Sequence, residues 1–541
     1  MHSSSAHGSV FFGRKRICAL LEKRLESFQN GYRQNVGIVG PPLLGKTFLT
    51  RNFLEQVKQT DIIGVPFLCQ ESDSFERFSQ RWMSEFLFSF YGALGQLLPL
   101  TSQLLMRSLK GIAPKTLQKL RLVRKLTFKH RYDQAYQELL KLSGILQQES
   151  GKKILIILDE FDRLSELELS DPFGNLGKEI MVQKETMFVV TSSHPVRSAP
   201  IFREKLSLLF GNFEVLELSP FDFEESNEFI QERLPERILE DELKRFLIRM
   251  TDGHPYYLDL LLDRLEFDSR GFESVNADLV IKSFAAELYE TRGMLHQHFQ
   301  SWLYQLAQGR PWALYADVLL AISLGHKKFS QIIRFLHQKG NEVKKILEKL
   351  LGSEAIGKHG SLFQVSDPLF RFWLNKVYYR QRFLTERSPM AGVQSFKEDV
   401  QQAVQENILE DQKELPKRIE ELFSRFRNDV VEFNKRKFKF PHFTEVLSRP
   451  NNGRVFPVFA KNGATRWLCQ VLSKPVTEED VQIFLQDLKR LRGAVHKRLI
   501  VGLKGIELNA KLLAQEAKIQ YLDLRNLNFL LDLYDKPKLV I

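Results

Sequence analysis

Gly40-Pro41-Pro42-Leu43-Leu44-Gly45-Lys46-Thr47 fits the pattern G-x-x-x-x-G-K-[ST] without a gap. Each part has a physical task. The glycines let backbone N–H groups close on phosphate oxygens, Lys46 reaches β- and γ-phosphates, and the Thr47 hydroxyl ligates Mg²⁺. The surroundings read in the required order. A short apolar strand, Val36 to Val39, precedes the loop, and a helix follows to about Lys58 with Phe48, Phe53, Leu54 and Val57 toward a core. The segment Gly40 to Phe48 is therefore the expected contact for ATP with Mg²⁺.

A second element agrees with the first. The run Lys153 to Leu158 ends in Asp159-Glu160, which puts Asp159 at the carboxyl end of a buried strand as a metal ligand, with Glu160 beside it to orient an attacking water. The alternative is a glycine turn and an acidic cap that bind nothing, and two concordant motifs weigh against it. Thr191-Ser192-Ser193 ends another apolar run, where Ser192 is expected as a γ-phosphate sensor; an ordinary ST-turn accounts for the same residues. Lys46, Glu160 and Ser192 are the catalytic candidates, and Thr47 and Asp159 the metal ligands.

Five apolar runs without alternation, Val36–Val39, Ile62–Leu68, Lys153–Leu158, Met187–Thr191 and Val215–Leu218, read as strands covered on both faces. With helices between them they imply an α/β domain with a parallel sheet over residues 1–220. Lys46 and Asp159 are too far apart for one crossover, so a helical insertion is expected over about 70–150. It carries most of the charge asymmetry. Of a chain net charge of +12, nine positive charges fall in residues 101–131, which hold no Asp or Glu. Leu117, Leu120, Val123 and Leu126 suit a helix there, while Leu120, Leu122, Leu126 and Phe128 suit a strand pair. Lys119, Arg121, Arg124 and Lys125 form either a phosphate-tracking patch or a solvated face.

Beyond residue 220 the pattern turns helical. A helical region is expected over 221–310, broken by Asp252-Gly253-His254-Pro255, and a helix-turn-helix with a β-wing over 311–384. Lys344, Lys345 and Lys358 are its DNA-contact candidates, although packing against a partner is an equally ordinary use of such a module. Residues 385–399 read as a linker and 400–541 as a second, smaller α/β domain, with helices to about 434.

Composition excludes several classes. With 541 residues, 43% of them hydrophobic, and only 3 Cys, 30 Gly and 20 Pro, the chain is neither disulfide-stapled, collagen-like nor disordered. The scattered thiols Cys18, Cys69 and Cys469 fit a reducing cytoplasm. The longest uncharged run, Phe86 to Met106, is interrupted by polar residues and reads as a buried helix pair rather than a membrane span. No metal cluster emerges from the 12 His.

Together, Phe11-x-Gly13-Arg14, GPPLLGKT, ILIILDEFD, the LSPFDFEES passage at 218–226, DGHPYYL at 252–258 and FQVSDPLFRFW at 363–373 make the chain resemble a family. It is the archaeal-type ATPases of the AAA+/STAND group, relatives of the origin-recognition ATPases. The resemblance implies an ATPase core, a helical lid whose Gly253-x-Pro255 turn borders the nucleotide, so that Pro255 joins the cofactor contacts, a winged helix, and a carboxy-terminal domain like the PD-(D/E)xK nucleases. This chain departs from the family at three places. Ile17 stands where a Glu is usual, Gly211-Asn212 stands where Gly-Arg is often found, leaving Arg197 or Arg203 as substitutes for a trans-acting arginine, and the lid lacks an Arg after its Gly. Slow or partner-stimulated turnover follows. In the carboxy-terminal domain no Asp stands on Arg454–Phe459, and Gln470-x-Leu472 replaces Glu-x-Lys, so the metal site reads as lost. Glu432 and Glu445 are candidate relocated ligands, and helix-surface and strand-edge positions are the plainer reading of both.

The resulting expectation is an ATP-driven switch acting on or near DNA, alone, as a homo-oligomer or with a protein partner, and away from membranes. A nucleotide-stabilised DNA-binding or scaffolding regulator with little turnover is the second reading. An ATP-regulated nuclease with a relocated site is the third.

Overall fold

The computed structural model describes residues 12–97, 102–206, 213–235, 238–307, 312–383, 389–433, 436–448, 458–463, 465–490 and 494–540. The chain forms two compact units, Met1–Pro220 and Phe221–Ile541.

The first unit is built on five parallel strands, β1 (Asn35–Val39), β2 (Ile62–Leu68), β3 (Lys153–Asp159), β4 (Thr186–Ser192) and β5 (Phe213–Glu217), in the order β2-β3-β4-β1-β5. The unbroken apolar runs have the expected cause, because each side of the sheet has its own core. Leu155, Ile157, Met187 and Val189 join Val36 and Ile38 against α1 (Lys15–Gln29) and α2 (Lys46–Val57). Ile154, Ile156, Leu158, Phe188 and Val190 point the other way, into a core shared with the insertion. Phe48 does not face this core as expected. It is 48% exposed, and Leu49, one residue on, takes the buried position.

The insertion consists of α3 (Phe75–Ala93), α4 (Ser102–Ile112), α5 (Pro114–Phe128), α6 (Tyr132–Leu140) and α7 (Leu142–Ser150). The helical reading of 114–128 holds and the strand pair does not, since Leu117, Leu120, Val123 and Thr127 share its buried side.

In the second unit, helices Phe223–Arg233, Asp241–Thr251, Pro255–Asp268, Ala277–Phe284 and Met294–Ala307 are joined by a minimal parallel pair, β6 (Ile238–Leu239) and β7 (Ser274–Val275). The stop at Asp252-Gly253 has a steric basis. Both residues are left-handed, with φ of 53° and 69°, and a Cβ on Gly253 would lie 2.1 Å from the Phe221 carbonyl oxygen. Helices Trp312–Ser323, Phe329–Leu336 and Gly340–Gly352 then precede the antiparallel hairpin of β8 (Ile356–His359) and β9 (Leu362–Val365).

Two expectations need correction here. Of the 385–399 linker, residues 385–388 lie outside the described residues, while Pro389–Gln412 is one continuous helix. Its Asp411 is ion-paired to Arg249, and Phe396 packs on Tyr289, so this segment is held by side-chain contacts rather than left as a spacer. The helices expected to about residue 434 stop earlier, at Ser424, and are followed by a hairpin of β10 (Asp429–Phe433) and β11 (Arg436–Phe440). A five-stranded sheet closes the unit: β12 (Glu445–Ser448), β13 (Val458–Asn462), β14 (Thr465–Leu472), β15 (Lys497–Gly502) and β16 (Gln520–Asp523), antiparallel through β14 and parallel thereafter.

Candidate nucleotide site

The loop between β1 and α2 is held by close backbone approach. A Cβ on Gly40 would lie 2.2 Å from the Leu218 carbonyl oxygen, so glycine is required where the loop leaves the sheet. Gly45 caps α2 at φ 89°, and Leu43 is left-handed at φ 60° without being glycine. Such strain gathers where a loop must aim its backbone at a ligand. Leu44 is buried as the anchor, and the buried Arg14 donates to its carbonyl at 3.4 Å. Pro41, Pro42 and Leu43 are exposed at the loop's crest.

Lys46 is buried, and its ammonium donates to the carbonyls of Gly40 at 2.9 Å and Pro41 at 2.6 Å. Burial lowers its pKa, and the carboxylates of Glu160, Asp159 and Asp162 oppose that. Thr47 donates its hydroxyl to Asp159 Oδ2 at 2.8 Å across 112 residues of sequence. The pair offers adjacent hard oxygens, a donor set that fits Mg²⁺.

Around this pair the ends of β3 and β4 form a hydroxyl and carboxylate network. Thr191 donates to Asp159 Oδ1 and accepts the Glu160 backbone N–H at 3.1 Å. Glu160, left-handed at φ 56°, accepts the Ser193 backbone N–H at 2.9 Å and also the Ser193 hydroxyl. Ser192, the expected sensor, is fully buried. Its Oγ accepts the His194 N–H at 3.1 Å, the local turn given as the alternative. Thr191 and Ser193, on either side of it, are the residues that touch Asp159 and Glu160, because alternate extended positions face opposite sides.

Sequence reading missed one further cluster. Asp162 is buried with His194 Nδ1 at 3.3 Å and Arg197 Nε at 3.7 Å, while Arg197 also pairs with Glu166 at 3.0 Å. Burial raises the Asp162 pKa, but His194 and Arg197 help to outweigh it and hold the carboxyl below its ordinary range. Ligand atoms of Glu160, Asp162 and His194 lie within 4.8 Å of one another. As a substitute arginine finger Arg197 is therefore engaged within its own unit, whereas Arg203 is exposed and Gly211-Asn212 lies outside the described residues.

The remaining candidates divide. Pro255 opens its helix in the second unit. On the insertion, Lys119 is neutralised by Glu138, while Arg121, Arg124 and Lys125 are exposed. Lys344 and Lys345 are exposed on Gly340–Gly352, with Lys344 3.9 Å from Glu348. Lys358 is exposed over the Phe363 ring, but the wing tip beside it is covered. Ser361 N–H donates to the Val430 carbonyl at 2.8 Å, the His359 ring meets Phe529 at 4.7 Å, and Leu362 belongs to the core of the carboxy-terminal sheet. The tip of the β8–β9 hairpin therefore packs on this chain's own β10, while Lys358 beside it stays exposed.

Of the relocated carboxylates, Glu432 lies on the β10–β11 hairpin opposite Lys437, and Glu445 lies on β12, paired with Lys461 at 2.5 Å. They stand on different sheets. Among the described residues of β13 there is no carboxylate, and Phe456 and Pro457 lie outside the described residues.

Loop, parallel sheet and the Thr47–Asp159 pair define a P-loop NTPase fold. No protein-family model matches the chain, and neither does any curated protein. Among solved structures the chain is similar to a Walker-type ATPase of Pyrococcus abyssi, PABY2304, at 18% identity and a TM-score of 0.47, covering 67% of this chain and 96% of that one. It is also similar to the ORC2 protein of Aeropyrum pernix, at 14% identity and a TM-score of 0.42 over 74% of this chain and 96% of that one. For the ORC1 protein of the same organism, solved in complex with DNA, the values are 16% and 0.37 over 72% and 93%.

Proposed function

We propose that this chain binds ATP with Mg²⁺ and hydrolyses it slowly, as a nucleotide-driven switch acting on or near DNA. The observation that carries the reading is the hydrogen bond of Thr47 to Asp159 at 2.8 Å, which unites the phosphate loop with an acidic strand end, beside Glu160. In this reading the N–H groups of the loop and of α2 bind the phosphates. Lys46 exchanges its two loop carbonyls for β- and γ-phosphate oxygens. Thr47 and Asp159 would hold Mg²⁺, which when bound supplies positive charge beside those oxygens. Glu160 orients the attacking water once it is released from Ser193.

That last contact favours slow turnover, since the carboxylate already accepts two hydrogen bonds. It equally supports the second reading, a nucleotide-stabilised DNA-binding or scaffolding regulator with little turnover. The DNA part rests on the exposed cations of the insertion. No helix among the described residues is long and apolar enough to cross a membrane.

Lys46→Ala is expected to lose ATP affinity and Glu160→Gln to keep it while stopping turnover. Calorimetric titration with ATP and phosphate release, with and without DNA, measure both. Unchanged ATP affinity in Lys46→Ala removes the reading.

A further inference from the structure

Helix α5 buries one side in the insertion and leaves a second, continuous stripe uncovered. Arg121, Arg124, Lys125 and Phe128 recur at i, i+3, i+4 and i+7, and Lys129 and Arg131 continue the stripe past the helix end. All six are exposed, and Phe128 most of all, at 86%. Among the described residues none of the five cations has an ion-pair partner. Three carboxylates of the neighbouring helices are engaged elsewhere. Glu138 pairs with Lys119 and Lys141, Glu149 accepts the N–H groups of Lys115 and Thr116 at the start of α5, and Glu76 accepts from Tyr132.

From this arrangement we infer that the α5 face is a platform for single-stranded nucleic acid, on which the cations meet phosphates and Phe128 stacks on a base. The inference goes beyond the switch reading and rests on its claim that the protein works at DNA. The two chemistries on the stripe select the occupant. A duplex satisfies the cations but hides its base faces, leaving Phe128 in water. A single strand offers phosphates and base faces together, the combination that aromatic and basic grooves use. An anionic membrane surface fits less well, because an interfacial helix inserts its apolar side. Here Leu117, Leu120 and Val123 are already packed in the protein interior. An acidic peptide would use the cations and leave the aromatic idle.

The test measures binding of the full chain to fluorescent single-stranded DNA, single-stranded RNA and duplex DNA of mixed sequence across a salt series, with anionic vesicles and a poly-glutamate peptide as further arms. The expected result is at least about tenfold preference for one or both single strands over duplex. Phe128→Ala should weaken single-strand binding about tenfold without changing its salt dependence, and Phe128→Trp should restore it. Changing Arg121, Arg124 and Lys125 to Ala should flatten the slope of log affinity against log salt by about 2, since each phosphate neutralised on a single strand contributes about 0.7. The DNA and RNA arms decide which strand is taken. These side chains lie on the surface, so the variants keep the fold, which circular dichroism checks. Equal affinity for duplex and single strands, indifferent to Phe128→Ala, overturns the platform and leaves the DNA reading standing. Preference for vesicles or the acidic peptide overturns it in favour of those partners. No affinity for any nucleic acid overturns it together with the DNA part of the proposed function, while ATP binding, measured in the same preparation, stays unaffected.

Discussion

Ser193 holds Glu160 with two donors, its backbone N–H at 2.9 Å from Oε2 and its hydroxyl on Oε1. These bonds turn the carboxylate toward Ser193 and take acceptor sites that a water would otherwise use. A hydrogen bond to a charged group contributes about 1.5 kcal/mol or more, and about 1.4 kcal/mol corresponds to tenfold in rate. Ser193→Ala is therefore expected to raise the rate of ATP hydrolysis about tenfold with ATP affinity unchanged. Steady-state phosphate release together with nucleotide titration checks it. A rate that falls would mean that Ser193 supports the reactive geometry instead of restraining it.

Thr191 acts on the other carboxylate. Its hydroxyl donates to Asp159 Oδ1, while Oδ2 accepts from Thr47, so both oxygens are aimed by hydroxyls before any ligand arrives. Thr191→Val keeps the shape of this fully buried position and removes the donor. Outer hydrogen bonds of this kind tune metal affinity by about tenfold or more. The expected outcome is about tenfold weaker binding of ATP in Mg²⁺, with binding in EDTA unaltered. Equal losses in both buffers would assign Thr191 to packing alone.

Acid stability has a nameable contributor in the second unit. Glu421 is paired with Lys413 at 2.7 Å and Lys536 at 2.6 Å. Burial raises its pKa, but the two ammonium groups outweigh that and draw it from 4.5 down to about 2. A depressed folded-state pKa means stabilisation that is complete above pH 4.5 and is lost as pH falls toward about 2. Glu421→Gln should cost about 2 kcal/mol at neutral pH, screening of this partly exposed group considered. The difference in Tm between the variant and the unchanged chain should stay constant from pH 7 to the unfolded pKa and shrink below it. A gap that does not change on acidification would remove the ion pairs as its cause.

The sheet and phosphate loop were legible because both leave dense local signals. Five apolar runs lie within one residue or two of the observed strands, Gly40 stands where a Cβ would meet the Leu218 carbonyl, and Gly45 supplies the left-handed backbone that caps α2. Network detail was not legible. That Ser193 and not Ser192 faces Glu160 depends on the register of β4 against its neighbours, which a run of hydroxyls cannot reveal. Asp162 and His194 meet although they stand 32 positions apart, and they carry no motif. Phe48 appeared apolar and therefore inward, yet the adjacent Leu49 won the core. The short strands β10 and β11 were missed since they pair in a two-stranded sheet of their own, and β11 is rich in Lys and Arg, which alternate weakly against Phe438 and Phe440.

The carboxy-terminal sheet is expected to cut no DNA, single- or double-stranded, with Mg²⁺ or Mn²⁺. Metal-dependent cleavage needs carboxylates that converge at strand ends and a base that acts on water. At the place of that base and its carboxylate, β14 carries Gln470 and Leu472, which supply neither charge nor proton transfer. Glu432 and Glu445 do not compensate, for they stand on different sheets, and Glu445 is already neutralised by Lys461 at 2.5 Å. Restoring one residue should not suffice, because such groups act as a unit. The assay calls for the full chain. Residues 395–541 alone would strip Lys538 of Asp252, bound at 2.6 Å, and Asp411 of Arg249, so the fragment loses contacts that hold it in the second unit. Incubation with plasmid and labelled oligonucleotides should leave both intact. Cleavage that survives Glu432→Ala with Glu445→Ala would mean the catalytic groups lie elsewhere, and cleavage abolished by that pair would turn the switch into an ATP-regulated nuclease.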